Sequence, residues 1–212
     1  EFDKVISILV VTLILALAIV RAKRLLVRSV AEGTAADQLS RFFNPAVADT
    51  IRAAEQQILS GHGEHREAAI LFCDIRGFTK IASASTADEV MQLLGQYQSL
   101  IDPLIRSHGG AIDKYLGDGI MATFGAAIPS ETQAADALAA VADILSAVEA
   151  WNAARIAGGE VPIDVRAAVT SGNVVFGAVG DDQRLEFTVI GNAVNLAAKL
   201  ERNTRVQQVR AL

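Results

Sequence analysis

Thiols are nearly absent from this chain. Cys73 is the only cysteine in 212 residues, so neither an intramolecular disulfide nor a thiolate zinc site is available. It lies in the apolar run Ala69-Ile70-Leu71-Phe72-Cys73 and reads as a small buried side chain rather than a nucleophile. Histidine is scarce too. His62, His65 and His108 fall in loop-like contexts and read as solvated groups, not ligands. There is no basic excess: 19 Lys and Arg stand against 24 Asp and Glu. That excludes a general nucleic-acid binder, which carries a basic face. No side chain stands out as a general base.

What the chain does have is uneven. Val5 to Val20 carries no charge, and only Ser7 and Thr12 are polar. The run is slightly short of the ~20 residues that span a bilayer, but Lys4 and Arg21 can snorkel to extend it. It has no polar face, as a soluble helix would, and no basic n-region or cleavage site, as a signal peptide would. We read residues 1–22 as a transmembrane helix, the end of a membrane region, ahead of a hydrophobic oligomerisation helix. Arg21, Lys23, Arg24 and Arg28 follow at once, which puts the rest of the chain in the cytoplasm by the positive-inside rule.

Residues 23–66 read as a helical linker. Asn44-Pro45 makes a helix start, Val47, Ile51, Ala54 and Ile58 supply its apolar spacing, and Gly61-His62-Gly63 ends it. The helix either pairs with its twin in a dimer or packs on the domain that follows. Residues 67–212 form the globular domain. Ala68–Asp74 reads as a buried strand, and Thr86-Ala-Asp-Glu89 as a capping box opening a helix that Pro103 should kink. Ala111–Tyr115 and Ile120–Phe124 read as a hairpin, Thr132–Trp151 as an Ala-rich helix, and Ile163–Thr170 with Asn173–Val179 as a second strand pair around Ser171-Gly172. A short strand, Glu186–Ile190, and a helix from Val194 to Glu201 complete the pattern. The class is α+β, one sheet with helices packed against it.

Two carboxylates stand out. Asp74 ends an apolar run and precedes Ile75-Arg76-Gly77-Phe78-Thr79; Asp118 sits in Lys114-Tyr115-Leu116-Gly117-Asp118-Gly119. Hard oxygen ligands of this kind suit Mg²⁺ or Mn²⁺, and a pair of such ions serves in-line phosphoryl chemistry. The Ile75–Thr79 turn, Phe78 and Thr79 included, can present backbone N–H groups to phosphate. Arg166 is the next basic candidate for phosphate, weighed equally against a strand-edge surface charge.

Three segments in order, Phe72–Thr79, Lys114–Gly119 and Thr188-Val-Ile-Gly-Asn-Ala-Val-Asn195, resemble the class III nucleotidyl cyclase catalytic domain. The likeness runs from Ala68 to Leu212, and Phe42–Ile51 resembles the helix that precedes bacterial cyclase domains. The resemblance implies a membrane-anchored bacterial adenylate cyclase in the inner membrane, with a ferredoxin-like βαββαβ core. It implies a homodimer with interfacial sites that turns ATP into 3′,5′-cyclic AMP and pyrophosphate. Asp74 and Asp118, helped by the Ile75 carbonyl, would bind two metal ions. The partner chain would supply Lys114 and Thr188 to read adenine, Asn195 to orient the ribose and Lys199 to stabilise charge on the α-phosphate. Guanylyl cyclases place Glu and Cys at positions 114 and 188, and neither is present. Lys199 stands where the family usually has Arg; a point charge replaces a planar fork, which bears on rate more than on reaction type. Such domains continue past this helix with further strands, so we expect 67–212 to lack its C-terminal strands. The rival readings are a guanylate or mixed-specificity cyclase and a catalytically weak nucleotide-binding signalling module.

Overall fold

The structure is a computed structural model, and it describes Arg21, Lys23 and residues 63–181 and 185–212. The chain divides into two compact units, Glu1–Ala48 and Asp49–Leu212. Of the first, Arg21 and Lys23 are helical and exposed. The expected membrane helix over Val5–Val20 and the helix from Asn44-Pro45 to Ile58 lie outside the described residues. Among the described residues no helix is long and apolar enough to cross a membrane.

The second unit is built on β1, Gly63–Ile75. Its apolar stretch alternates between two faces, as the period of two in a strand requires. Ala69, Leu71, Cys73 and Ile75 enter one core cluster, while Ala68 and Ile70 enter another. Both faces are covered, which explains why the run reads as continuously apolar. After β1 come α1 (Phe78–Ser83), α2 (Ala87–Ser107), β2 (Ala111–Leu116) and β3 (Gly119–Phe124). Then follow α3 (Gln133–Ala157), β4 (Val165–Gly180), β5 (Leu185–Ile190) and α4 (Asn192–Gln207). The sheet order is β2-β3-β1-β4-β5, antiparallel throughout. The first four strands with α1–α3 between them form the expected ferredoxin-like core, and β5 extends it.

α2 begins at the expected capping box: Thr86 Oγ1 accepts from the Glu89 amide, and the Glu89 carboxylate accepts from the Thr86 amide at 2.7 Å. Leu93, Tyr97, Ile101 and Ile105, four apart, are its buried stripe; each such burial is worth about 1.5–3 kcal/mol. The helix continues through Pro103 to Ser107. α2 and α3 feed the cluster beneath one face, and Ala193 and Ala197 of α4 feed the other.

Three expectations need correction. The strand pair around Ser171-Gly172 is one strand, β4, sixteen residues long. Ser171 and Gly172 lie opposite Ala69 and Ala68 in an unbroken ladder, because β1 is long enough to pair β4 on both sides of the glycine. Second, β1 begins at Gly63, inside the stretch read as linker. Gly63–His65 are exposed, so this end has no apolar signal and is held by its ladder to β4. Third, His65 lies in that strand and not in a loop; His108 does fall in the turn that ends α2, with Nε2 2.8 Å from the Asp143 carboxylate, and His62 lies outside the described residues. At the other end of the unit, Arg210–Leu212 runs parallel to β4 beside Ala167, with Val169 N–H donating to the Leu212 carbonyl at 2.9 Å.

Candidate active site

Asp74 and Asp118 are brought together by strand pairing. β1 pairs with β3 up to Cys73↔Ile120, which lays the β2–β3 turn against the end of β1. The turn is tight: Gly117 has φ 69°, a conformation that costs glycine little. A Cβ added at Gly119 would stand 4.0 Å from the Asp74 Cβ. The Asp118 carboxylate accepts from the Ile75 amide and from its own, and these bonds oppose the upward push of burial on its pKa. Asp74 is raised further. Burial is the largest cause, followed by the charges of Glu201 and Asp118 and a hydrogen bond with Glu201.

Arg166 lies directly opposite Asp74 in the β1–β4 ladder, and its side chain is 8% exposed. It is therefore not the strand-edge surface charge that its position suggested, and its guanidinium is held within its own chain. Its Nη2 meets the Asp164 carboxylate at 2.8 Å, its Nη1 donates to the Val209 carbonyl, and its charge partly offsets the rise at Asp74. Beyond β1, Gly77 (φ 76°) opens α1 with no side-chain cap, so Phe78 and Thr79 occupy its first turn. Cys73, by contrast, is fully buried beneath the site, its thiol pushed up to about 12 mainly by desolvation. It is no nucleophile.

Could this donor set hold the expected cations? Among the described residues no group of three or more His, Cys, Asp or Glu side chains is arranged to hold a metal ion. Two carboxylates do converge, however, each raised chiefly by burial, Asp74 also by the neighbouring charges of Glu201 and Asp118. Mg²⁺ typically takes one or two carboxylates and completes its shell with water and phosphate oxygens. Asp74 and Asp118 fit that pattern.

A second cluster joins the opposite edges of the sheet. β2 and β5 are its outermost strands, yet Thr188 Oγ1 donates to the Asp113 carboxylate at 3.0 Å. Lys114 Nζ lies 3.6 Å from Asp113 and pairs with Glu186. The sheet therefore curls until its two edges touch. Thr188 and Lys114, 74 residues apart in sequence, are neighbours in space. Burial raises Asp113, while the Thr188 hydrogen bond and the Lys114 charge oppose it.

Asn195 and Lys199 lie on α4, both exposed. Neither joins the first cluster. At 3.6 residues per turn, Lys199 projects roughly 160° and Asn195 roughly 120° away from Glu201. Since Glu201 is the α4 residue that meets Asp74, Lys199 points away from its own chain's carboxylate pair. Glu201, Asp113 and Glu186 were not singled out from the sequence. Asp113 had a signal, as the neighbour of Lys114 on β2; Glu201 had none beyond its helix position.

Residues 61–211 match the model of the adenylate and guanylate cyclase catalytic domain. The chain is 36% identical over 154 residues to an adenylate cyclase of Anabaena cylindrica, covering 71% of this chain and 30% of the relative. It is 32% identical over 149 residues to adenylate cyclase 1 of Rhizobium meliloti, covering 68% and 22%. The chain thus spans less than a third of the length of either curated relative. Among solved structures it is similar to the guanylyl cyclase Cya2, with 32% identity and a TM-score of 0.62 over 66% of this chain and 71% of that one. It is also similar to the adenylyl cyclase CyaB from P. aeruginosa, with 31% identity and a TM-score of 0.59 over 66% and 74%. Both base specificities occur among these neighbours, so likeness alone does not choose between ATP and GTP. The convergent carboxylates, the ferredoxin-like sheet and the match over nearly all of the second unit agree: this chain belongs to the adenylate and guanylate cyclase catalytic domain family.

Proposed function

We propose that the domain is an adenylate cyclase, converting ATP to 3′,5′-cyclic AMP and pyrophosphate at sites shared by two copies of the chain. The observation that carries the choice of ATP is the meeting of Lys114 and Thr188 across the curled sheet. The Lys114 ammonium donates to adenine N1, and the Thr188 hydroxyl meets the 6-amino group. Asp74 and Asp118 of one chain hold the divalent cations, Mg²⁺ or Mn²⁺, with the Ile75 carbonyl nearby. When bound, such ions lower the pKa of the ribose 3′-hydroxyl and neutralise charge on the phosphates. Arg166 and the first-turn amides of Phe78 and Thr79 orient the triphosphate.

Asn195 and Lys199 complete the site from the partner chain, Asn195 against the ribose and Lys199 toward the α-phosphate. Their projection away from Glu201 and Asp74 supports this division. The apolar segment Val5–Val20 anchors the chain in the cell's inner membrane, with this domain in the cytoplasm. Incubating the full chain with ATP or GTP and Mn²⁺, then identifying the product, tests the function. Cyclic AMP and pyrophosphate from ATP, at several times the rate of cyclic GMP from GTP, is the expected result. A preference for GTP would make the domain a guanylate cyclase.

A further inference from the structure

We propose that Asp113 commits the Thr188 hydroxyl to accepting a hydrogen bond from the 6-amino group of adenine, and so sets the preference for ATP over GTP. The inference rests on the base-reading role given above to Lys114 and Thr188. Asp113 sits where the β2–β3 register shifts between Ile112 and Lys114. An irregularity of this kind re-aims a side chain. Here the Asp113 carboxylate is turned inward, its side chain only 5% exposed, and takes the Thr188 hydroxyl proton at 3.0 Å. The Lys114 ammonium, 3.6 Å away, favours its ionised form.

An ionised carboxylate only accepts, and a hydroxyl has one proton to give. With that proton held by Asp113, Thr188 offers a ligand lone pairs alone. Lys114 offers donors alone. A donor beside an acceptor matches adenine, whose N1 accepts and whose 6-amino group donates. Guanine reverses both, with N1–H and a 6-carbonyl, so each contact would oppose like with like. Polar groups left unpaired in a site built to bond them are the strong source of discrimination between substrates. A Thr188 hydroxyl free to rotate would donate to a carbonyl as readily as it accepts from an amine. Glu186, the more exposed partner of Lys114, is the one an entering base displaces. Asp113 stays in place.

The test uses the full chain, its Asp113→Asn and Asp113→Ala variants, and three substrates: ATP, GTP and purine riboside 5′-triphosphate, which keeps N1 and lacks the 6-amino group. In the wild type, loss of that group should lower kcat/KM about ten- to a hundredfold. In both variants the gap between ATP and GTP should narrow, and the ATP-to-purine-riboside ratio should fall below its wild-type value, because a hydroxyl released from Asp113 is no longer held as an acceptor. Asp113→Ala carries the same expectation without burying a new amide, so misfolding of Asp113→Asn leaves the test intact. A ratio unchanged in the variants, with both substrates slowed equally, would reduce Asp113 to a structural role and overturn the proposal. A wild type that prefers GTP would remove the base reading itself, and this proposal with it. A wild type that prefers ATP with unaltered variants would sink the proposal alone.

Discussion

Asp74→Ala and Asp118→Ala each lower cyclic-nucleotide formation by at least ~10³-fold, which is about 4 kcal/mol of transition-state stabilisation. Each removes one of the two carboxylates that the β1–β3 pairing brings together at the end of β1. The loss should fall on kcat more than on protein abundance, because neither side chain fills the core. Stability should in fact move the other way. The Asp74 carboxyl is raised in the folded chain by burial, then by Glu201 and Asp118. A folded-state pKa above the ordinary value near ~4 means stability is complete below that value and declines as pH rises through the raised one. Asp74→Asn removes this decline. With divalent ions chelated, its Tm should exceed wild type at pH 8 by a few degrees, corresponding to about 1 kcal/mol after solvent screening, and match wild type near pH 4. Equal turnover in the alanine variants, or a lower Tm for Asp74→Asn at pH 8, would refute the assignment of this pair.

Lys114→Gln should lower kcat/KM for ATP about 10²-fold while leaving the Asp74–Asp118 pair intact. The substitution removes the charged donor proposed for N1, and hydrogen bonds to charged groups are worth about 1.5–3 kcal/mol. Glutamine is preferred over glutamate here for a structural reason. Lys114 is the cation between Asp113 and Glu186, and a third carboxylate would set three like charges against one another. Separating the effect into KM and kcat is informative: a contact made equally in ground and transition states raises KM alone. An unchanged kcat/KM for ATP would remove Lys114 from the base site.

How much of this was legible in the sequence depends on the range of the signal. The α2 capping box and the β2–β3 hairpin are local, and Thr86, Glu89, Gly117 and Gly119 announce them directly. The placement of Asp74 beside Asp118 was legible through motif order. β4 was misread because Ser171-Gly172 has the composition of a turn. What overrides that preference is its ladder to Ala68 and Ala69, some hundred residues earlier. The Asp113–Thr188 bond escaped for the same reason. It depends on a curl that joins the two edges of the sheet, and no window of sequence contains both edges. Arg166 could be placed on a strand but not beside Asp74, since register across β1 and β4 is a tertiary property. Glu201 was hidden by its helix. Sequence spacing shows that Asn195 and Lys199 share a face, but not that Glu201 faces the carboxylate pair of its own chain.

Mixing two inactive chains tests the shared site most directly. In a dimer of Asp74→Ala with Asn195→Ala, one site carries both defects and the other carries neither. Random pairing of equal amounts makes half the dimers mixed, each with one intact site, so cyclic AMP formation should recover to about a quarter of wild type. Recovery should depend on subunit exchange and appear again when Lys199→Ala replaces Asn195→Ala. No recovery with either partner, in mixtures shown to contain mixed dimers, would mean that each chain builds its site alone.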